Sequence, residues 1–131
     1  MNNILYFVIS AVLGFVSIVI PPYVTPGKSI IYYESPLFPI ITTAIKNIYI
    51  LPTIVLLVIV GFILGYFKTN KWWLWGIATI ILFPTSSLLE MTLYPSSHNL
   101  WPFEFLIYSI LAVPPCIGAF LGYKLRIKKH E

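Results

Sequence analysis

The chain has 131 residues, of which 59% are hydrophobic, 17% aromatic and only 9% charged, with a net charge of +4 and a mean hydropathy of +0.91. That excludes an ordinary soluble domain, in which about 25% of residues are charged, because so short a chain cannot bury this much apolar surface within itself. What remains is a single all-α membrane domain over residues 1–131, with lipid as its solvent.

The first apolar run, Ile4 to Ile20, contains 17 uncharged residues. About 20 apolar residues cross a hydrocarbon core of roughly 30 Å, so this run just suffices. It starts Met-Asn-Asn without a basic residue and ends Ile-Pro-Pro rather than at a small-residue cleavage site. It is therefore expected to be a retained span over 4–20 and not a signal peptide.

A stretch of 27 residues from Pro21 to Asn47 follows. A structureless connection of that length is uncommon. Ser35 and Pro36 suit an N-cap and a first helical residue. Beyond them Leu37, Phe38, Ile40, Ile41, Ala44, Ile45 and Ile48 recur at helical spacing. The pattern predicts a short interfacial helix in this first outer loop.

The second run, 48–67, is uncharged throughout and carries Gly61-x-x-x-Gly65 in its later half. Lys68 to Lys71 then forms a tight turn, which makes the second and third spans antiparallel neighbours. The third span is expected over 72–91. It contains Pro84-Thr85-Ser86-Ser87 near mid-depth and ends with Glu90, an ionisable group near the hydrocarbon boundary that needs a partner. Residues 92–102 return the chain. Pro95 helps end one span, Trp101 marks an interface, and Pro102 opens the fourth span over 103–123. That span contains Pro114-Pro115-Cys116 and a second glycine pair, Gly118-x-x-x-Gly122. Small residues four apart let helix backbones approach closely. Gly61, Gly65, Gly118 and Gly122 are thus the expected packing residues, within one chain or between two.

Four spans put both termini on one side. Lys68, Lys71, Lys124, Arg126, Lys128 and Lys129 lie there, against Lys28 and Lys46 on the other; the carboxylates Glu34, Glu90 and Glu104 fall outside and Glu131 inside. The positive-inside rule places both termini in the cytoplasm of a multi-pass protein of the plasma or inner membrane. The basic excess is thus topological and gives no reason to expect nucleic acid. A shift of 63 residues pairs Pro21 with Pro84, Pro39 with Pro102 and Pro52 with Pro115. That hints at a tandem repeat of two helical hairpins.

Two polar groupings carry candidate chemistry. Glu90, His98, Asn99, Glu104 and Glu34 can converge at the outer end. Carboxylates with an imidazole suit a ligand site, a divalent metal held by Glu90, His98 and Glu104, or general acid–base work. The spacing Glu-x7-His-x5-Glu matches no metal pattern, and Glu104 also suits a helix first turn, where a carboxylate favours the positive end of the dipole. Ser96-Ser97-His98 lacks a nucleophile elbow, and the chain has no aspartate for a triad. The second grouping, Thr85, Ser86, Ser87 and Cys116, would line a polar path at mid-depth, yet no charge lies there. Proton-coupled transport normally keeps one.

The balance favours a small non-enzymatic protein that uses no cofactor and binds lipid, a partner membrane protein or a second copy of itself. A small transporter or channel for a neutral or lipid-like solute is the first alternative. A membrane-surface enzyme or metal site built on the outer Glu/His cluster is the second.

Overall fold

A computed structural model describes every residue except Met1, Lys28, Ser97 and Glu131, and leaves the His130 side chain aside. The sequence readings that place Lys28 outside, Glu131 inside and Ser97 in the return loop therefore lie outside the described residues. The described chain is all-helical and contains no strand. Its six helices are α1 (Asn3–Val24), α2 (Pro39–Lys46), α3 (Ile50–Phe67), α4 (Trp72–Ala78), α5 (Leu82–Leu93) and α6 (Trp101–His130). Helices α1, α3 and α6 are long and apolar enough to cross a membrane. Counting α4 and α5 as one span bent by 50° makes four. Large apolar side chains such as Ile4, Leu51, Phe103 and Leu125 stand more than half exposed. That surface matches a lipid solvent far better than water.

The boundaries differ from the sequence pattern in four places. Helix α1 runs on through Pro21 and Pro22 to Val24 and is closed by Thr25, whose N–H and hydroxyl both donate to the Pro21 carbonyl. Helix α2 starts at Pro39 and not at Pro36; Ser35 accepts from the Phe38 N–H at 3.4 Å and donates its hydroxyl hydrogen to Glu90. The third apolar run breaks over Thr79–Ile81. Proline clashes with the carbonyl four residues earlier. For Pro84 that is Ile80, whose carbonyl instead closes a tight turn with the Phe83 N–H at 3.0 Å. Finally, α6 continues unbroken through Pro114 and Pro115 to His130, so the two apolar halves are not broken at matching places. Of the prolines paired by the 63-residue shift, Pro39 and Pro102 both open a helix, but the last pair differs. Pro52 lies in the first turn of α3, whereas Pro115 sits in the middle of α6.

Helices α3 and α6 form the closest pair. A Cβ on Gly61 would stand 2.1 Å from the Pro115 carbonyl oxygen, and one on Gly65 2.0 Å from that of Ala119. In return, a Cβ on Gly118 would stand 2.1 Å from the Val58 oxygen and one on Gly122 2.2 Å from that of Phe62. All four glycines are consumed within the chain as backbone-to-backbone contact. Gly14 lets α1 approach the α4–α5 break in the same way, with Thr79 against it.

Around this seam sit two apolar clusters. Ile18, Leu57, Ile80, Phe83, Tyr108 and Leu111 fill the half away from the 68–71 turn, and Tyr6, Leu64 and Trp75 the half toward it. Tyr6 donates to the Leu64 carbonyl at 2.7 Å and meets the Trp75 ring edge-on at 4.9 Å. The end toward that turn is tied by Arg126, which donates to the carbonyls of Tyr66 and Phe67 at the end of α3, at 2.8 and 2.5 Å. Lys68 reaches Asn3 there. Asn3, at the start of α1, and Arg126, in the last turns of α6, therefore lie at the end of the molecule that carries the 68–71 turn.

Candidate functional site

The opposite end of the bundle is built from polar side chains. Residues 31–35 run extended beside α2. Asn47 clasps the backbone of Ile31, accepting from its N–H at 3.1 Å and donating to its carbonyl at 2.7 Å, while Thr43 accepts from the Tyr33 N–H at 3.0 Å. These bonds bring Ser35 and Leu37 over the end of α5. There Glu90 lies 2% exposed. A carboxylate so buried must be paired and hydrogen-bonded throughout, and it is. Its Oε1 accepts from the Ser35 hydroxyl and from the Leu37 N–H at 3.2 Å; its Oε2 stands 3.0 Å from His98 Nε2.

His98 enters from the return loop between α5 and α6, with its side chain 11% exposed. Its Nδ1 lies 2.6 Å from Oε2 of Glu104, which projects from the first turn of α6 and is 31% exposed. The imidazole is thus held between two carboxylates. Burial disfavours its cation, but the hydrogen bonds to Glu90 and Glu104 and the charges of both outweigh this and raise the His98 pKa above its ordinary 6.5. In the imidazolium both ring N–H groups donate. The cluster then carries a net charge of −1, summed over two carboxylates and one cation.

Beside the cluster, between α2, α5 and α6, lies a cleft of ≈ 330 Å³. Phe38, Ile41, Ile45, Phe103 and Ile107 supply its apolar walls; Glu90, His98 and Glu104 stand at its polar end. Ser86 and Ser87 reach it from α5 and Tyr108 from α6. Ser86 is spent on the Phe83 carbonyl at 2.8 Å, and Ser87 and Tyr108 share a hydrogen bond of 2.8 Å. Leu100, Phe103 and Ile107, which also line it, are exposed.

Not every residue singled out from the sequence joins this site. Asn99 is exposed and makes no hydrogen bond among the described residues. Glu34 lines a separate groove with Tyr23, Tyr32 and Tyr33, and no hydrogen bond or ion pair links it to the cluster. The four residues of the supposed mid-depth path are also dispersed. Thr85 is exposed and bonded to the Ile81 carbonyl, while Cys116 lies on a different, apolar groove beside Trp72 and Ile77. Only Ser86 and Ser87 reach the cleft. Conversely, Ser35 as a partner of Glu90, Asn47 as a clasp and Tyr108 in the cleft carry no signal of function in the sequence. Helical spacing of Phe38, Ile41 and Ile45 was their neighbours' only advertisement.

Among the described residues no group of three or more His, Cys, Asp or Glu is arranged to hold a metal. Within the cluster the reason is visible. Both imidazole nitrogens are engaged by carboxylates, so His98 can neither ligate an ion nor take a proton from a molecule in the cleft without giving up one of those bonds. The arrangement can hold a proton, brace the hairpin and present carboxylate oxygens to the cleft.

No protein-family model, curated protein or solved structure matches this chain. The site must therefore be interpreted from its own chemistry.

Proposed function

We propose that the protein is a four-span membrane protein, with α4 and α5 forming one broken span, that works without catalysis by holding a lipid-like ligand in the cleft between α2, α5 and α6. The observation that carries this reading is the cleft itself. Its ≈ 330 Å³ lies at the low end of ligand-site volumes, about 300–1,000 Å³. It pairs apolar walls with polar groups gathered at one end, as an amphipathic guest requires. In this reading both termini face the cytoplasm, supported by the basic residues at that end, and the cleft faces the outer leaflet. The inner glycine pairs are already used within the chain, so a second copy or a partner membrane protein would have to dock on another face.

Native mass spectrometry of gently extracted protein tests the proposal. A lipid adduct that survives extraction and disappears in Ile41→Trp, which fills the cleft, is expected. Adduct-free wild-type protein, or an adduct indifferent to that substitution, overturns it.

A second reading, passage of a neutral solute through the bundle, draws support from the break at Thr79–Ile81, since interrupted helices recur at transport sites. It requires Ser86→Cys to react with water-soluble thiol reagents, and a thiol that stays protected under all conditions removes it.

A further inference from the structure

The hydroxyl pair in the cleft has one hydrogen too many. Ser87 and Tyr108 are 3% and 7% exposed and bonded to each other at 2.8 Å. Each hydroxyl has one hydrogen to donate. Whichever donates in the mutual bond, the other is left with an O–H that finds no acceptor among the described residues. A buried donor left unspent is costly, and both side chains line the cleft. Glu104, one helical turn before Tyr108 on the same face, offers the complement. Its Oε2 serves His98, while its Oε1 has no partner among the described residues. The polar end therefore presents one spare donor and one spare acceptor.

We infer, on the footing of the ligand-binding reading above, that the cleft selects an uncharged single-chain amphiphile with a hydroxyl head, such as a monoacylglycerol or long-chain alcohol. A hydroxyl accepts from the Ser87–Tyr108 pair and donates to Glu104, so it satisfies both groups at once. An anionic head that carries no proton cannot donate to Glu104. An ammonium can donate to Glu104 but has no lone pair for the spare hydroxyl hydrogen. Lys46 also lines the cleft, with its Nζ 4.4 Å over the Tyr33 ring, so the discrimination rests on hydrogen bonding rather than on net charge.

The test uses the full-length protein in phosphatidylcholine nanodiscs doped at equal mole fraction with monopalmitoylglycerol, hexadecyl sulfate or hexadecylamine, with bound adducts counted by native mass spectrometry. One neutral hydrogen bond corresponds to a preference of about tenfold, and that excess of monopalmitoylglycerol over the other two is expected. The double variant Ser87→Ala/Tyr108→Phe should lose it. Either single replacement still leaves one hydroxyl free to donate and should lose only part. Equal occupancy by the charged amphiphiles, or an undiminished preference in the double variant, overturns the head-group assignment while the cleft reading stands. No adduct from any of the three, or adducts that persist in Ile41→Trp, overturns the cleft reading itself.

Discussion

The two ends of the bundle are held by different physics. Toward the 68–71 turn, α3 and α6 meet backbone to backbone across Gly61, Gly65, Gly118 and Gly122, with no side chain between them. In lipid such contact gains from dispersion and from the absence of competing water, and it leaves no space. At the other end the helices part, and polar groups fill the gap. Glu90 joins Ser35, Leu37 and His98, and His98 joins Glu104. Dense packing makes one end rigid. A hydrogen-bonded network makes the other specific while leaving a cleft beside it. The cleft lies at the end that carries none of these four glycines.

This contrast can be broken from either side. The largest effect is expected from Gly61→Leu or Gly118→Leu, whose side chains would be driven into the carbonyls of Pro115 or Val58. Overpacking of this kind should cost about 3 kcal/mol or more, read as a shift in the unfolding midpoint on titration with denaturing detergent. A wild-type midpoint for both would mean that the seam is not as close as described.

At the outer end, Glu90→Leu removes one partner from a buried pair and strands His98 Nε2, the Ser35 hydroxyl and the Leu37 N–H. A loss of about 3 kcal/mol is expected, confined to that end: proteolysis between 25 and 38 should accelerate while the inner half keeps its protection. A uniform loss along the chain would contradict the separation of the two ends.

The pH dependence sharpens the comparison further. The folded state raises the His98 pKa above 6.5. The stability it contributes is therefore fully present below about pH 6.5 and is lost as pH rises through the higher folded value. Hydrogen exchange, corrected for its intrinsic rate, should show residues 94–100 opening more readily at pH 9 than at pH 6. The inner turn should be indifferent, and His98→Gln should abolish the difference. The smallest change is Tyr6→Phe at the inner end, which deletes one buried bond to the Leu64 carbonyl and should lower stability by about 1 kcal/mol without altering ligand retention.

The helical character of this molecule was legible in its sequence because the signal is redundant. A run such as 48–67 repeats the same apolar message at nearly every position, so no single residue matters. The break at Thr79–Ile81 was hidden because its cause, Pro84, acts on a carbonyl four residues away, and the same residue type in α6 breaks nothing. The polar end was half legible. Glu90, His98 and Glu104 stand out because ionisable residues are rare in so apolar a chain. Which other groups they would meet was not legible: Ser35 is 55 residues from Glu90 in sequence, and no local pattern encodes such a pairing. Ser35 read as a helix cap because locally it is a good one, and it does accept from the Phe38 N–H; what the local pattern could not tell is that its hydroxyl hydrogen goes to a buried carboxylate and that regular helix begins only at Pro39.

Glu90 also has a mechanical meaning. The chain has one cysteine and so can form no internal covalent cross-link. Through its two oxygens Glu90 closes the 55-residue loop back to Ser35 and the 8-residue loop on to His98. Such closures restrict a chain much as a disulfide does, with an entropy that grows only slowly with loop length. Unlike a disulfide, this fastening needs no oxidant, and one of its two arms answers to the proton concentration at the face of the molecule where the cleft opens.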